Sequence, residues 1–353
     1  MRPIRARIDS SALRHNLSVV RKHAPRSRAW AVVKANAYGH GLARTARALA
    51  AADGLALIEL EAAIELRLSG EMRPILLLQG VYSPQDLKAV ADHGLSIVVH
   101  DAGQVAMLEE ARVQAKIPVY AKLNTGMNRL GFSPSDVPGV LERLKRCAGG
   151  ITLMTHFADA DGASGVKWQL ERFEAIVAGL NLPRSLANSA AILRYPETQA
   201  DWVRPGITLY GCSPFPDQSA EKLGLKPAMT LSSELIAIRE LGPGDSVGYG
   251  RAFTAPQPMQ VGVVACGYAD GYPRHAPTGT PILVCGKRTR TVGRVAMDML
   301  TADLTGIQGA RVGSPVTLWG EGLSADEVAA SADTVSYELL CALSPRVPVQ
   351  ETR

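Results

Sequence analysis

The 353-residue sequence contains no apolar run that approaches the roughly 20 residues a membrane-crossing helix needs. Its first residues, MRPIRARIDS, lack the apolar core of a secretory signal. Cysteine is scarce and scattered: Cys147, Cys212, Cys266, Cys285 and Cys341 are odd in number and form no CxxC pair. That usage argues against a disulfide framework and reads as reduced thiols in a cytoplasmic compartment. The seven histidines show no HExxH or other ligand spacing, so no metal is expected. A GxSxG elbow and a Walker A loop are absent as well. Net charge is +5, spread along the chain without a block of like charges, which leaves nucleic acid and membrane surfaces without support as partners.

What is present is the composition of an ordinary globular protein, 46% hydrophobic and 20% charged, long enough for two domains. A polar cap at Ser10 followed by Leu13, Leu17 and Val20 predicts a first helix. Strands are then predicted at 30–34, 55–60, 75–79, 96–99, 119–123, 151–156, 184–187 and 202–204. Helical stretches at 42–52, 84–93, 102–113 and 166–179 lie between them. Eight strands alternating with helices predict a parallel sheet closed into a (β/α)8 barrel of the TIM type. An open doubly wound sheet is the alternative, but no GxGxxG turn follows the first strand. After about residue 223 helical periodicity fades, and short β-rich runs at 229–239, 261–266, 281–284, 289–295 and 315–319 alternate with Gly/Pro turns. Helices are expected at 325–332 and in YELLCAL. The reading is a barrel over 8–223 and a mostly-β domain over 224–353.

The chemistry concentrates in AWAVVKANAYGHG, at 29–41. An apolar strand runs into Lys34, then into turn residues. Loss of solvation there disfavours the charged amine and lowers its pKa, the state a Schiff-base lysine needs. Alone, a strand-end lysine simply reaches solvent. Here, however, Lys122, His156, Asn188 with Ser189, and Arg204 also fall at carboxyl ends of predicted strands, where barrel enzymes gather their catalytic groups.

VVKANAYGHG, KLNTGMNRLGF, THFADAD, ANSA, VRPGITLYG, VGYGR, CGYADGYPR and VGRVAMD, in that order, closely resemble the motifs of the alanine racemases, barrel-fold enzymes that use pyridoxal phosphate. The resemblance runs from Ile4 to about Val349 and implies that residues 1–7 also pair into the second domain. Its compact length resembles the catabolic type.

By that resemblance Lys34 is the cofactor lysine and one catalytic base, and Tyr249 is the second base, reaching the site from the partner in a homodimer. A free tyrosine ionises near pH 10, so it needs a nearby positive field, which His156 and Arg204 would supply. Tyr38, Ser189, Gly206, Ile207 and Tyr337 match phosphate-binding positions; for Ser189 alone a helix N-cap would be the plainer reading. Arg204 matches the arginine facing the pyridine nitrogen. Most enzymes using this cofactor place a carboxylate there; an arginine, with a pKa above about 12, keeps its proton and leaves the ring a weak electron sink, which suits reprotonation. Arg129, Met297 and Asp298 match substrate-binding positions, and Lys122 a lysine often carbamylated. Asp161, Tyr268, Arg274 and Arg294 match an access corridor. Asn124 and Ser185 depart from the family pattern, which carries Asp and His there in many members. The implied activity is interconversion of L- and D-alanine. A serine or broader-specificity racemase, a decarboxylase and a non-catalytic cofactor-binding protein are the alternatives; Arg204 counts against the decarboxylase, and VGYGR with its second domain against the cofactor carrier.

Overall fold

The computed structural model describes residues 2–352. Strand β1 (Arg5–Asp9) comes first, and its last residue, Asp9, caps the helix Ser10–His23 by accepting from the N–H groups of Ser11 and Ala12. Eight strands then form a closed parallel barrel: β2 (Arg28–Val32), β3 (Gly54–Leu57), β4 (Ile75–Leu77), β5 (Ser96–Val99), β6 (Pro118–Lys122), β7 (Gly150–Met154), β8 (Arg184–Asn188) and β9 (Trp202–Arg204). Closure is made by β9 on β2, with Arg28 opposite Trp202 and Ala29 opposite Val203.

The barrel interior is a packed core. Trp30 of β2 stacks on Trp202 of β9 at 4.2 Å and donates across the barrel to the Tyr120 hydroxyl of β6 at 3.1 Å. Gly54 makes room for this layer: a Cβ there would lie 2.2 Å from the Trp30 ring.

The second domain is a mostly antiparallel sheet ordered β15-β14-β17-β10-β1-β18, with β13 and β16 attached through β10. Its members are β10 (Met229–Leu241), β13 (Met259–Val264), β14 (Pro281–Val284), β15 (Lys287–Arg290), β16 (Leu300–Asp303), β17 (Pro315–Trp319) and β18 (Val349–Thr352); β11 (Ser246–Val247) and β12 (Phe253–Thr254) form a separate hairpin. β1 lies antiparallel to β10 and parallel to β18, so pairing of the N-terminal segment runs through Asp9. The helices Ala325–Ser331 and Ser336–Cys341 carry the second domain back to the barrel mouth. Among the described residues no helix is long and apolar enough to cross a membrane.

The barrel and the mostly-β domain agree with the expectation, but several ends differ. The run expected at 30–34 leaves the strand after Val32, because Val33 (φ −120°, ψ 21°) already departs from extended geometry. The strand expected to reach His156 ends at Met154. Leu60, expected to end a strand, opens the helix Leu60–Leu68. The run expected at 289–295 is shorter and earlier, as Lys287–Arg290.

Candidate active site

The carboxyl ends of the barrel strands surround a cavity of about 650 Å³. Lys34, Tyr38, Lys122, Arg129, His156, Asp161, Asn188, Ser189, Arg204, Gly206, Ile207 and Tyr337 all line it. Tyr249, Tyr268, Arg274, Arg294, Met297 and Asp298 do not; they belong to the second domain of the same chain.

Lys34 is aimed by an unusual backbone. Ala35, Asn36, Ala37 and Tyr38 all have φ between 51° and 54°, a left-handed turn built without glycine. For the two alanines and Tyr38 this costs about 1–2 kcal/mol each, so the turn must be held from outside. Ala37 N–H donates to Val33 O at 2.9 Å, Gly41 N–H to Asn36 O at 2.9 Å, and Leu42 N–H to the Asn36 side chain at 2.8 Å. His40, fully buried and pushed down to about 4 by burial, stays neutral and donates from Nδ1 to the carbonyls of Ala37 and Tyr38 at 3.1 and 2.9 Å. Gly39 (φ 77°) closes the turn against the last helix, where a Cβ would lie 2.1 Å from Leu340 O. Tyr38 thereby stacks on Tyr210 at 4.5 Å and approaches Tyr337 at 6.0 Å.

Four cations and one carboxylate, Asp161, line the cavity. Lys34 is held below the ordinary lysine range by burial and then by Arg129. Lys122, at the end of β6, is pushed down to about 8 by burial, then by Arg204, Arg129 and Lys34. Arg204 is buried; Nη1 donates to Ser185 O and Oγ at 2.7 and 2.8 Å, and Nη2 to Thr155 O at 2.8 Å, Leu186 O at 3.0 Å and His156 Nδ1 at 3.4 Å. Its Nε–H has no partner among the described residues. Burial lowers Arg204 to about 10, so it remains charged at neutral pH. His156 is driven well below its usual range by burial and then by Arg204, and stays neutral. Because Nδ1 accepts from Arg204, its proton sits on Nε2.

The same cavity carries a polar cradle. Ser189 Oγ accepts from Gly206 N–H at 2.8 Å and lies 3.2 Å from the Thr208 hydroxyl. Gly206 lacks the Cβ that would sit 2.7 Å from the Tyr38 hydroxyl. The helix cap is Asn188, which accepts from Ala191 N–H at 3.0 Å; Ser189 is the first helical residue and its hydroxyl faces Gly206 instead.

Two departures from the family pattern are absorbed locally. Asn124 accepts from the N–H groups of Gly126 and Asn128 at 3.0 and 3.1 Å and so shapes the loop that carries Arg129. Ser185 supplies its hydroxyl to Arg204. Gln79 and Cys341 also line the cavity and were not anticipated. Gln79 stood at the end of a predicted strand, so the rule that found Lys122 would have found it. Cys341 had no comparable signal.

Tyr249 opens the turn Tyr249–Arg251 between Gly248 (φ 71°) and Gly250 (φ 69°), and it is 72% exposed. Met297 is 53% exposed; Arg274 and Arg294 are exposed.

Two family profiles match the chain: alanine racemase, N-terminal domain, over residues 8–214, and alanine racemase, C-terminal domain, over residues 228–351. The chain belongs to the alanine racemase family. An alanine racemase of Nitrosomonas eutropha is 60% identical over 354 residues, covering 98% of both chains. The family fold is equally close. The crystal structure of the biosynthetic alanine racemase from Pseudomonas aeruginosa superposes with a TM-score of 0.98 at 46% identity over 100% of both chains. That of alanine racemase from Acinetobacter baumannii gives 0.96 at 39% over the same coverage. Since the Pseudomonas enzyme is described as biosynthetic and matches from end to end, compact length does not by itself mark the catabolic type.

Proposed function

We propose that the chain is an alanine racemase that interconverts L- and D-alanine, supplying or degrading the D form, with pyridoxal phosphate held at Lys34. What carries this reading is the convergence of Lys34, Arg129, His156, Arg204 and the Ser189–Gly206 cradle on one cavity in a chain alike throughout to alanine racemases. The cavity fits the cofactor: an excess of cations suits its phosphate and a substrate carboxylate, the side-chain-free face of Gly206 lies beside the Tyr38 hydroxyl, and the Arg204 Nε–H is free for a ring acceptor. Tyr38, Asn188, Ser189, Gly206, Ile207 and Tyr337 would hold the phosphate end, and Arg204, beside His156, the ring nitrogen.

When bound, the cofactor withdraws electrons from the substrate α-carbon and acidifies its proton. Lys34, its amine already biased towards the neutral form by burial, takes or returns that proton on one face. Tyr249 from a second copy of the chain serves the other face, beside the Nε2–H of His156. Arg204 keeps its proton throughout. Arg129 and the Met297 N–H bind the substrate carboxylate, with Asp298 beside them; Asp161, Tyr268, Arg274 and Arg294 form the corridor that admits it. The barrel unit runs to 223 and the second unit over 224–353, joined by the N-terminal strand through Asp9, with the assembly a homodimer, and the five unpaired thiols suit the cytoplasm.

Purified protein with L-alanine is expected to produce D-alanine until the enantiomers are equal, read by circular dichroism, with serine a poor substrate. Visible cofactor absorbance without any D-alanine would replace this reading by that of a cofactor carrier; serine turned over as fast as alanine would replace it by a broader racemase.

A second expectation concerns Lys122. Only a neutral amine adds carbon dioxide, and Lys122 is depressed to about 8 within a group of cations that has no carboxylate at Asn124. A carbamate would give that group an anion beside Arg129. Protein equilibrated with 13C-bicarbonate should show a carbamate carbon signal that Lys122→Ala lacks; identical spectra for the two would rule the modification out.

A further inference from the structure

The second domain holds a charge cluster built on one buried carboxylate, Asp270, to which the proposed chemistry assigns no role. Asp270 ends the short turn Tyr268–Asp270, and its side chain is 0% exposed. Arg2 donates to its two oxygens from Nη1 and Nη2 at 2.6 and 2.8 Å, Arg346 Nε donates to Oδ1 at 2.7 Å, and Gly267 N–H donates to Oδ2 at 2.9 Å. Burial pushes this carboxyl up, but the hydrogen bonds from Arg2, Arg346 and Gly267 outweigh it and leave it below the ordinary range. Neither arginine stops at Asp270. Arg346 Nη2 donates to Asp298 Oδ1 at 2.7 Å, and Arg2 Nη2 to the Asp298 carbonyl at 3.0 Å.

The same two segments are joined along the backbone. Tyr268 and Ala269 donate to the carbonyls of Ala296 and Met297, both at 3.0 Å, and Ala296 N–H donates to Met299 O at 2.9 Å. Contact is so close at Gly267 that a Cβ would lie 2.3 Å from Ala296 O and 2.4 Å from Met297 O. Both carbonyls are therefore used, whereas the Met297 N–H donates to no backbone carbonyl among the described residues.

We propose that Arg346, with Arg2, is a positioning residue for substrate binding: through Asp270 and Asp298 it fixes the 296–299 loop, which presents the Met297 N–H to the substrate carboxylate. The inference rests on the role proposed above for Met297. A lone N–H selects an anion well only when it is held still and no other anion competes for the space. Asp298, the next residue, is such a competitor. Its pair with Arg346 both offsets its charge and fixes its direction. Releasing Asp298 would loosen the loop and set a carboxylate against the incoming one. The loss then falls on substrate binding rather than on cofactor attachment or proton transfer.

In the holoenzyme, Arg346→Ala is expected to raise the KM for alanine about 10-fold, the scale of one lost charge-assisted hydrogen bond. Calorimetry should show the dissociation constant of propionate, which has alanine's carboxylate without its amine, rising by a similar factor. kcat should stay within about threefold and cofactor absorbance should not change. Arg346→Lys, whose ammonium reaches one carboxylate at a time, should raise both constants about threefold, and it carries the test if the alanine variant does not fold. Arg7→Ala, which removes an exposed pair with Glu321, should leave both unchanged. Wild-type KM and propionate binding in the Arg346 variants, or reduced kcat and cofactor content with KM intact, would overturn the positioning role while leaving alanine racemisation standing. A wild-type protein inert towards alanine would instead remove the reading beneath it.

Discussion

Replacing Lys34 with alanine is expected to lower kcat/KM for alanine by about 10⁴-fold or more in both directions, since one side chain both anchors the cofactor and moves a proton. Lys34→Arg should fare little better, because a guanidinium keeps its proton at any working pH. The geometry gives the prediction a pH signature. Burial and then the charge of Arg129 hold Lys34 below the ordinary lysine range. Each disfavours the ammonium, so the neutral amine is available at lower pH than for a solvated lysine. Taking away the Arg129 charge removes one of the two causes. The residual activity of Arg129→Gln should therefore have its acid limb displaced to higher pH, apart from any loss of substrate binding. D-alanine formation followed across pH measures both effects. A Lys34→Ala protein retaining a hundredth of wild-type activity would exclude Lys34 as the essential amine.

Tyr249→Phe is expected to abolish α-proton exchange of one alanine enantiomer in deuterated water while sparing the other, a selective loss of about 10²–10⁴-fold. Loss of the hydroxyl removes the base on one face only. The exposed Tyr249 side chain lies outside the cavity of its own chain, so the role proposed for it requires a second copy. Mixing subunits tests that dependence. A heterodimer of Lys34→Ala and Tyr249→Phe chains has one doubly defective site and one site with both native residues. Random reassortment of two inactive proteins should thus recover about one quarter of wild-type activity. No recovery, with heterodimers formed, would confine each site to one chain; equal exchange of both enantiomers by Tyr249→Phe would remove the tyrosine from the chemistry.

The barrel was legible in the sequence because buried parallel strands are short apolar runs, and eight of them alternate with helices. Their polar ends pointed to the cavity for the same reason: a buried strand tolerates Lys122 or Arg204 only where it meets solvent or a ligand. The aim of Lys34 was hidden. Ala-Asn-Ala-Tyr has no glycine to announce positive φ, and its left-handed turn is sustained by His40, Gly39 and a helix some three hundred residues later. Leu60 was misread because a short apolar run does not separate the end of a strand from the start of a helix. Arg346 and Asp270 were invisible for a further reason: ion pairs between distant segments leave no local periodicity.

The flanking of β1 by β10 and β18 bears on how the polypeptide is born. During translation the barrel strands emerge together and can close on one another, whereas β1 leaves the ribosome before them and meets its neighbours only after more than two hundred further residues. Its other neighbour, β18, comes later still, after the rest of the second domain. Strand β1 is thus an unpaired edge until the second domain emerges, and the arginine at position 2 reaches Asp270 only once that domain has been assembled.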